Sequence, residues 1–184
     1  IAMELIDGES LAETMERAGG AMAPDLVVPI ITKVCSALDF AHKHKVVHRD
    51  VKLENVMVST DNEVKLMDFG LAKAIKETPN KSVVITGTPL YMSPEQIQGQ
   101  DVDHRTDLYA LGVMVYYMLV GQWPFSENIL VSHLQKPVPN PCEVNQSLPE
   151  GFKPIAEKLL AKQKGDRYDS AGAVIHDLQA AFSA

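Results

Sequence analysis

The sequence is poor in cysteine, tryptophan and positive charge. Its 184 residues include two cysteines and one tryptophan, and 17 Lys and Arg face 24 Asp and Glu. Cys35 and Cys142 stand far apart with no metal-ligand spacing, so unpaired thiols in a reducing compartment are the simpler reading. A formal net charge of −7 argues against the basic face that a nucleic-acid backbone binder needs. It leaves nucleotides open, because magnesium screens their phosphates. The longest apolar run, Leu108 to Val120, falls short of the ~20 residues that span a bilayer and reads as a buried helix. Ile1 to Ile6 lack the basic leader of a secretory signal. The expectation is no nucleic-acid partner, no membrane segment in this chain, and a cytoplasmic setting, either free or as the cytoplasmic domain of a membrane-anchored parent. No repeat or low-complexity tract interrupts the sequence, and its length suits one domain.

What is present is concentrated in two short stretches. His48-Arg49-Asp50-Val51-Lys52-Leu53-Glu54-Asn55 is followed downstream by Asp68-Phe69-Gly70. Phosphoryl transfer from a nucleotide requires an acid to meet the incoming hydroxyl and a cation to meet the moving phosphate. It also requires oxygen ligands for magnesium. Asp50, Lys52, Asn55 and Asp68 supply that set.

Three further stretches stand in a telling order: Gly87-Thr88-Pro89-Leu90-Tyr91-Met92-Ser93-Pro94-Glu95, then Asp107 to Gly112, then Arg167. Together these residues resemble the protein kinase family, and within it the bacterial serine/threonine kinases of eukaryotic type. The resemblance implies a catalytic loop at 48–55 with Asp50 as base and Lys52 as the charge on the transferring phosphate. It implies Asn55 and Asp68 as Mg2+ ligands. Glu4, Ile6, Lys52, Glu54, Asn55, Met57 and Asp68 would form the ATP site, with Met57 under the adenine ring. The metal-binding tripeptide is 68–70, the activation loop 71–92, and Ser-Pro-Glu 93–95. Thr88 would bond Asp50 and Lys52, and with Lys52 it marks serine/threonine rather than tyrosine specificity. Arg49 would pair with a phosphate on Thr78, Ser82 or Thr86 and so order the loop. His48, Phe69, Gly70, Glu95, Asp107 and Arg167 take structural roles, with His48 packed on Phe69 and Arg167 paired to Glu95. Two positions depart from the family pattern: Lys45 stands where glycine is usual, and Lys164-Gly165-Asp166 replaces a proline-containing turn.

No Gly-rich loop or strand lysine precedes the catalytic loop. The chain therefore resembles the large lobe alone, with residues 1–8 as hinge and end of the small lobe and 9–184 as the large lobe. Its implied partners are its own small lobe and proteins bearing Ser or Thr. Alone, it should bind ATP weakly and turn over slowly. A non-catalytic kinase-like scaffold and a small-molecule phosphotransferase of kinase-like fold are the alternatives.

The expected fold is mainly α, a helical bundle with a small β-hairpin bearing the site. Ser10 is expected to cap a helix from Leu11 to Ala18. A second helix is expected from Pro24 to His44, with an apolar stripe of Leu26, Val27, Ile30, Ile31, Val34, Leu38 and Ala41. Val56–Val58 and Val64–Leu66 should form the hairpin around Thr60-Asp61-Asn62. Further helices are expected over Asp107–Val120, Phe152–Lys162 and Ser170–Phe182, with irregular surface from Gly121 to Pro149.

Overall fold

The structure is a computed structural model that describes residues 6–69 and 89–182. It begins with β1 (Gly8–Ser10) and α1 (Leu11–Ala18). Ser10 caps α1 reciprocally: its hydroxyl accepts from the Glu13 N–H, and the Glu13 carboxylate accepts from the Ser10 N–H. This closes two of the donors that a helix start leaves open. Gly19 then ends the helix at φ 66°.

The long helix α2 (Pro24–Lys43) starts with proline in its first turn, where a missing N–H is harmless. Val27, Ile31, Val34, Cys35, Leu38 and Ala41 are its buried face. Leu26 was expected in that stripe, yet it is 59% exposed. The expected stripe was wider than the face that the neighbouring elements cover. Lys45 adopts φ 61°, the left-handed backbone that the usual glycine would favour.

The sheet exceeds the expected hairpin. β2 (Val56–Ser59) pairs antiparallel with β3 (Val64–Leu66), with Met57 opposite Lys65. β1 adds to the other edge of β2 with Glu9 opposite Val58. The result is a three-stranded antiparallel sheet, β1-β2-β3. Of residues 1–8, expected as hinge and end of the small lobe, Gly8 falls in β1, and residues 1–5 lie outside the described residues.

Beyond the site come α3 (Pro94–Ile97), α4 (Arg105–Val120), α5 (Ile129–Gln135), α6 (Pro141–Val144), α7 (Phe152–Leu159) and α8 (Ala171–Phe182). Apolar on nearly all sides, α4 is the core: Leu108, Leu111, Val113, Met114, Met118 and Leu119 are fully buried. Such a helix has no solvent face to present. It packs on α2 and α7, while α2 also packs on α8. Gly112 permits the α4–α7 approach, since a Cβ there would lie 2.6 Å from the Leu159 Cβ. α7 stops at Leu159, short of the expected Lys162, and Lys162 instead donates to the Ser132 carbonyl.

Candidate active site

The site sits where the loop after α2 meets the sheet and the N-terminal end of α4. Asp107, in the first turn of α4, is fully buried and organises the loop. Its Oδ2 accepts from the His48 N–H at 2.9 Å, and its Oδ1 accepts from the Arg49 N–H at 2.7 Å. His42 of α2 lies 2.8 Å from the same Oδ2. One carboxylate thus fixes two successive peptide groups and ties helix to loop.

Arg49 has φ 69°, a conformation that L-residues adopt at a cost and keep where surroundings enforce it. The loop turns sharply there and presents Asp50. The His48 ring is held on both nitrogens: Nε2 lies 2.7 Å from the Met67 carbonyl, and Nδ1 accepts from the Asp50 N–H at 3.2 Å. The His48 and Phe69 rings meet in a T-shaped contact with their centres 4.6 Å apart. His48 therefore bridges the loop that carries Asp50 and the strand exit that carries Asp68.

Asp50, Lys52 and Asn55 converge. The Lys52 ammonium lies 2.9 Å from the Asp50 Oδ2, and the Asn55 amide donates to the same oxygen at 3.1 Å. Asn55 also donates to the Asp50 carbonyl at 2.8 Å. Both bonds use its amide nitrogen, so its carbonyl oxygen remains as an electron-pair donor. Asp50 and Lys52 stay partly open to solvent, while Asn55 is buried.

Asp68 approaches from β3. The Met67 N–H donates to the Asn55 main-chain carbonyl at 2.8 Å, so the residue before Asp68 is bonded directly to Asn55. Asp68 has φ 63°, its side chain is exposed, and it leaves the sheet at this turn. Met57 stands next on β2, half-buried. Glu54 is exposed and Ile6 half-buried.

The segment that follows residue 88 is tied to this loop. The Tyr91 hydroxyl accepts from the Leu53 N–H at 3.4 Å. Burial raises the Tyr91 phenol above its usual range, and the Glu54 charge adds to this, so it stays protonated. Trp123 stacks on Tyr117 at 3.9 Å and meets the edge of Tyr91. Ser93 and Gln96 form a second reciprocal cap at the start of α3, and the Gln96 Nε2 donates to the Arg49 carbonyl at 3.1 Å. Glu95 and Arg167 form a bidentate pair at 2.7 and 2.8 Å, both nearly fully buried.

The family description Protein kinase domain matches residues 1–178. This chain belongs to the protein kinase family. Its kinase relatives include the serine/threonine-protein kinase PknB of Mycolicibacterium smegmatis, 38% identical over 97% of this chain and 29% of that protein. A probable serine/threonine-protein kinase PknB of Lactococcus lactis is 34% identical over all of this chain and 30% of its own length. The chain thus spans less than a third of those curated relatives. Among solved structures, the PknI kinase domain of Mycobacterium tuberculosis superposes with a TM-score of 0.78 at 27% identity. That match covers all of this chain and 66% of the solved one. The mainly helical kinase fold expected from sequence is the fold found, with a three-stranded sheet in place of the expected hairpin.

Protein kinases use ATP and a divalent cation. The donor chemistry here fits such a cation: an amide oxygen on Asn55 and a carboxylate on Asp68 are hard oxygen ligands on adjoining segments. Glu4, Gly70, Thr78, Ser82, Thr86 and Thr88 lie outside the described residues. Among residues with no role assigned from sequence, Tyr91, Ser93 and Gln96 touch the loop that carries Asp50 or brace what does. The Ser-x-x-Gln spacing is a legible helix-start signal, whereas the reach of Gln96 to Arg49 is not.

Proposed function

We propose that this chain is the large lobe of a protein serine/threonine kinase that transfers the ATP γ-phosphate to Ser and Thr hydroxyls of proteins. The observation that carries the reading is the convergence of the Lys52 ammonium and the Asn55 amide on one oxygen of Asp50. Lys52 and Asn55 engage Oδ2, and among the described residues no hydrogen bond engages Oδ1, which is the oxygen to accept the proton of an incoming hydroxyl. Asp50 orients that hydroxyl and takes its proton as the new P–O bond forms. Lys52, close to the same carboxylate, holds a fixed positive charge where phosphoryl oxygens gain negative charge. Mg2+ would be held by Asn55 and Asp68, and when bound with ATP it neutralises phosphate charge. Ile6, Glu4, Glu54 and Met57 would complete the nucleotide site.

Regulation belongs to the same reading. A phosphate on Thr78, Ser82 or Thr86 would pair with the Arg49 guanidinium, whose backbone is pinned by Asp107. Thr88 would help place the substrate hydroxyl. The small lobe is the expected partner, the setting is cytoplasmic, and the isolated chain turns over slowly.

The test uses the full-length protein with Mg-ATP and a panel of peptides and metabolites. Ser and Thr peptides should be phosphorylated, and Asp50→Ala should lower kcat by about 100-fold or more, the share a positioned general base supplies. Undiminished activity in Asp50→Ala, or phosphorylation confined to metabolites, would refute the assignment.

A further inference from the structure

Gln96 lies on α3, outside the loop that carries Asp50, yet it bonds that loop across 47 positions of sequence. The Arg49–Asp50 peptide group determines how the Asp50 side chain is presented. Its N–H donates to the His48 Nδ1 at 3.2 Å, and its carbonyl accepts from the Gln96 Nε2 at 3.1 Å. The preceding peptide is fixed separately, through the Arg49 N–H and Asp107. Arg49 adopts φ 69°, so this turn persists only where neighbours hold it. Asp107 holds one side of the residue and Gln96 the other.

The Gln96 amide is itself immobilised. Its Oε1 accepts from the Ser93 N–H at 3.0 Å and from the Ser93 hydroxyl at 3.1 Å. The Ser93 oxygen in turn lies within hydrogen-bond distance of the Thr106 hydroxyl, one residue before Asp107. Both partners of that contact are buried. The amide oxygen is thus committed to the cap, and its planar geometry aims the nitrogen at Arg49.

We infer that Gln96 is a positioning residue for phosphoryl transfer, whose amide N–H locks the Arg49–Asp50 peptide and so the presentation of the Asp50 carboxylate. The inference rests on the kinase reading, with Asp50 as base. The two ends of the amide do different work, and single substitutions separate them. Glutamate keeps the acceptor that caps α3, since Ser-x-x-Glu is as good a cap as Ser-x-x-Gln. It loses the donor and sets a carboxylate oxygen against the Arg49 carbonyl. Methionine, of similar length, loses both functions.

The experiment compares Gln96→Glu and Gln96→Met with the wild-type full-length protein, reading kcat, KM for ATP, KM for a Ser/Thr peptide and thermal melting. Both variants should lose kcat by about 5- to 10-fold, the share expected of one hydrogen bond felt at the reacting group. KM for ATP should stay unchanged. Melting should fall in both, since each loses the bond to the Arg49 carbonyl and Gln96→Met loses the cap as well. A Gln96→Glu protein with wild-type kcat overturns the inference. So does a kcat loss confined to Gln96→Met, which would make the cap the whole role. A rise in peptide KM at constant kcat also overturns it, placing Gln96 in docking alone. These outcomes presuppose an active wild-type protein sensitive to Asp50→Ala. Absence of that activity defeats the kinase reading first, and the two failures are told apart by that control.

Discussion

Replacing Glu95 by alanine should be among the most damaging single changes outside the loop that carries Asp50. Arg167 is 3% exposed and Glu95 4%. All five guanidinium N–H groups are spoken for. Two meet the Glu95 carboxylate, and the others meet the carbonyls of Ala161 at 2.9 Å, Arg105 at 3.0 Å and Lys162 at 3.3 Å. The guanidinium carbon also stands 4.8 Å from the centre of the Tyr109 ring. Glu95→Ala strips the counter-charge from a cation that cannot leave. Breaking one side of such a buried pair costs about 3–5 kcal/mol, a large share of the roughly 5–15 kcal/mol that holds a domain together. At about 2–4 °C per kcal/mol for a chain of this size, melting should fall by roughly 6–20 °C.

The double variant Glu95→Ala/Arg167→Met should be less damaged than the sum of the single changes, because the stranded charge is gone. Acid sensitivity follows as well. Burial pushes the Glu95 carboxyl up, but the hydrogen bonds and charge of Arg167 outweigh it and hold its pKa below the ordinary 4.5. A depressed folded pKa gives stability that is complete above the unfolded value and lost as pH falls through the folded one. Wild-type stability should therefore decline below about pH 4.5, with the Glu95 share absent from Glu95→Ala. Denaturant titrations at pH 7 and pH 4 measure both effects. A loss under about 1 kcal/mol at pH 7 would refute the reasoning, since that is the size expected of an exposed pair.

Two further outcomes test the packing. Gly112→Ala places a methyl against Leu159 and should destabilise by about 1–3 kcal/mol in urea, with an unchanged m-value; a neutral result would mean that α4 and α7 separate freely. His133, buried and close to Lys162, has its pKa lowered to about 4 by burial first and by that charge second. Its contribution is present above the ordinary 6.5 and is lost as pH falls toward 4, so its imidazole resonances should titrate near 4, and a midpoint near 6.5 would contradict the burial.

Much of this was legible in the sequence because the informative features are local. The loop that carries Asp50, Lys52 and Asn55 is one octapeptide, so its composition and its convergence are nearly the same fact. The Ser10 cap, the start of α2 at Pro24 and the buried α4 each follow from residues a few positions apart. What escaped depends on distant partners. Gly8 and Glu9 pair with β2 some fifty positions away, and no local pattern announces the open strand edge that takes them. Leu26 sits at helical spacing with its neighbours, yet spacing does not reveal where the covering elements end. The Gln96 bond to Arg49 joins two segments whose nearness is set by the tertiary fold alone.

The sole tryptophan has a practical consequence. Trp123 lies flat on Tyr117 and touches the edge of Tyr91, whose hydroxyl holds the backbone at Leu53. The chain's single indole thus stands at the seam between the segment that carries Tyr91 and the loop that carries Asp50. Its emission reads the state of that seam without any added label, and no second indole blurs the signal.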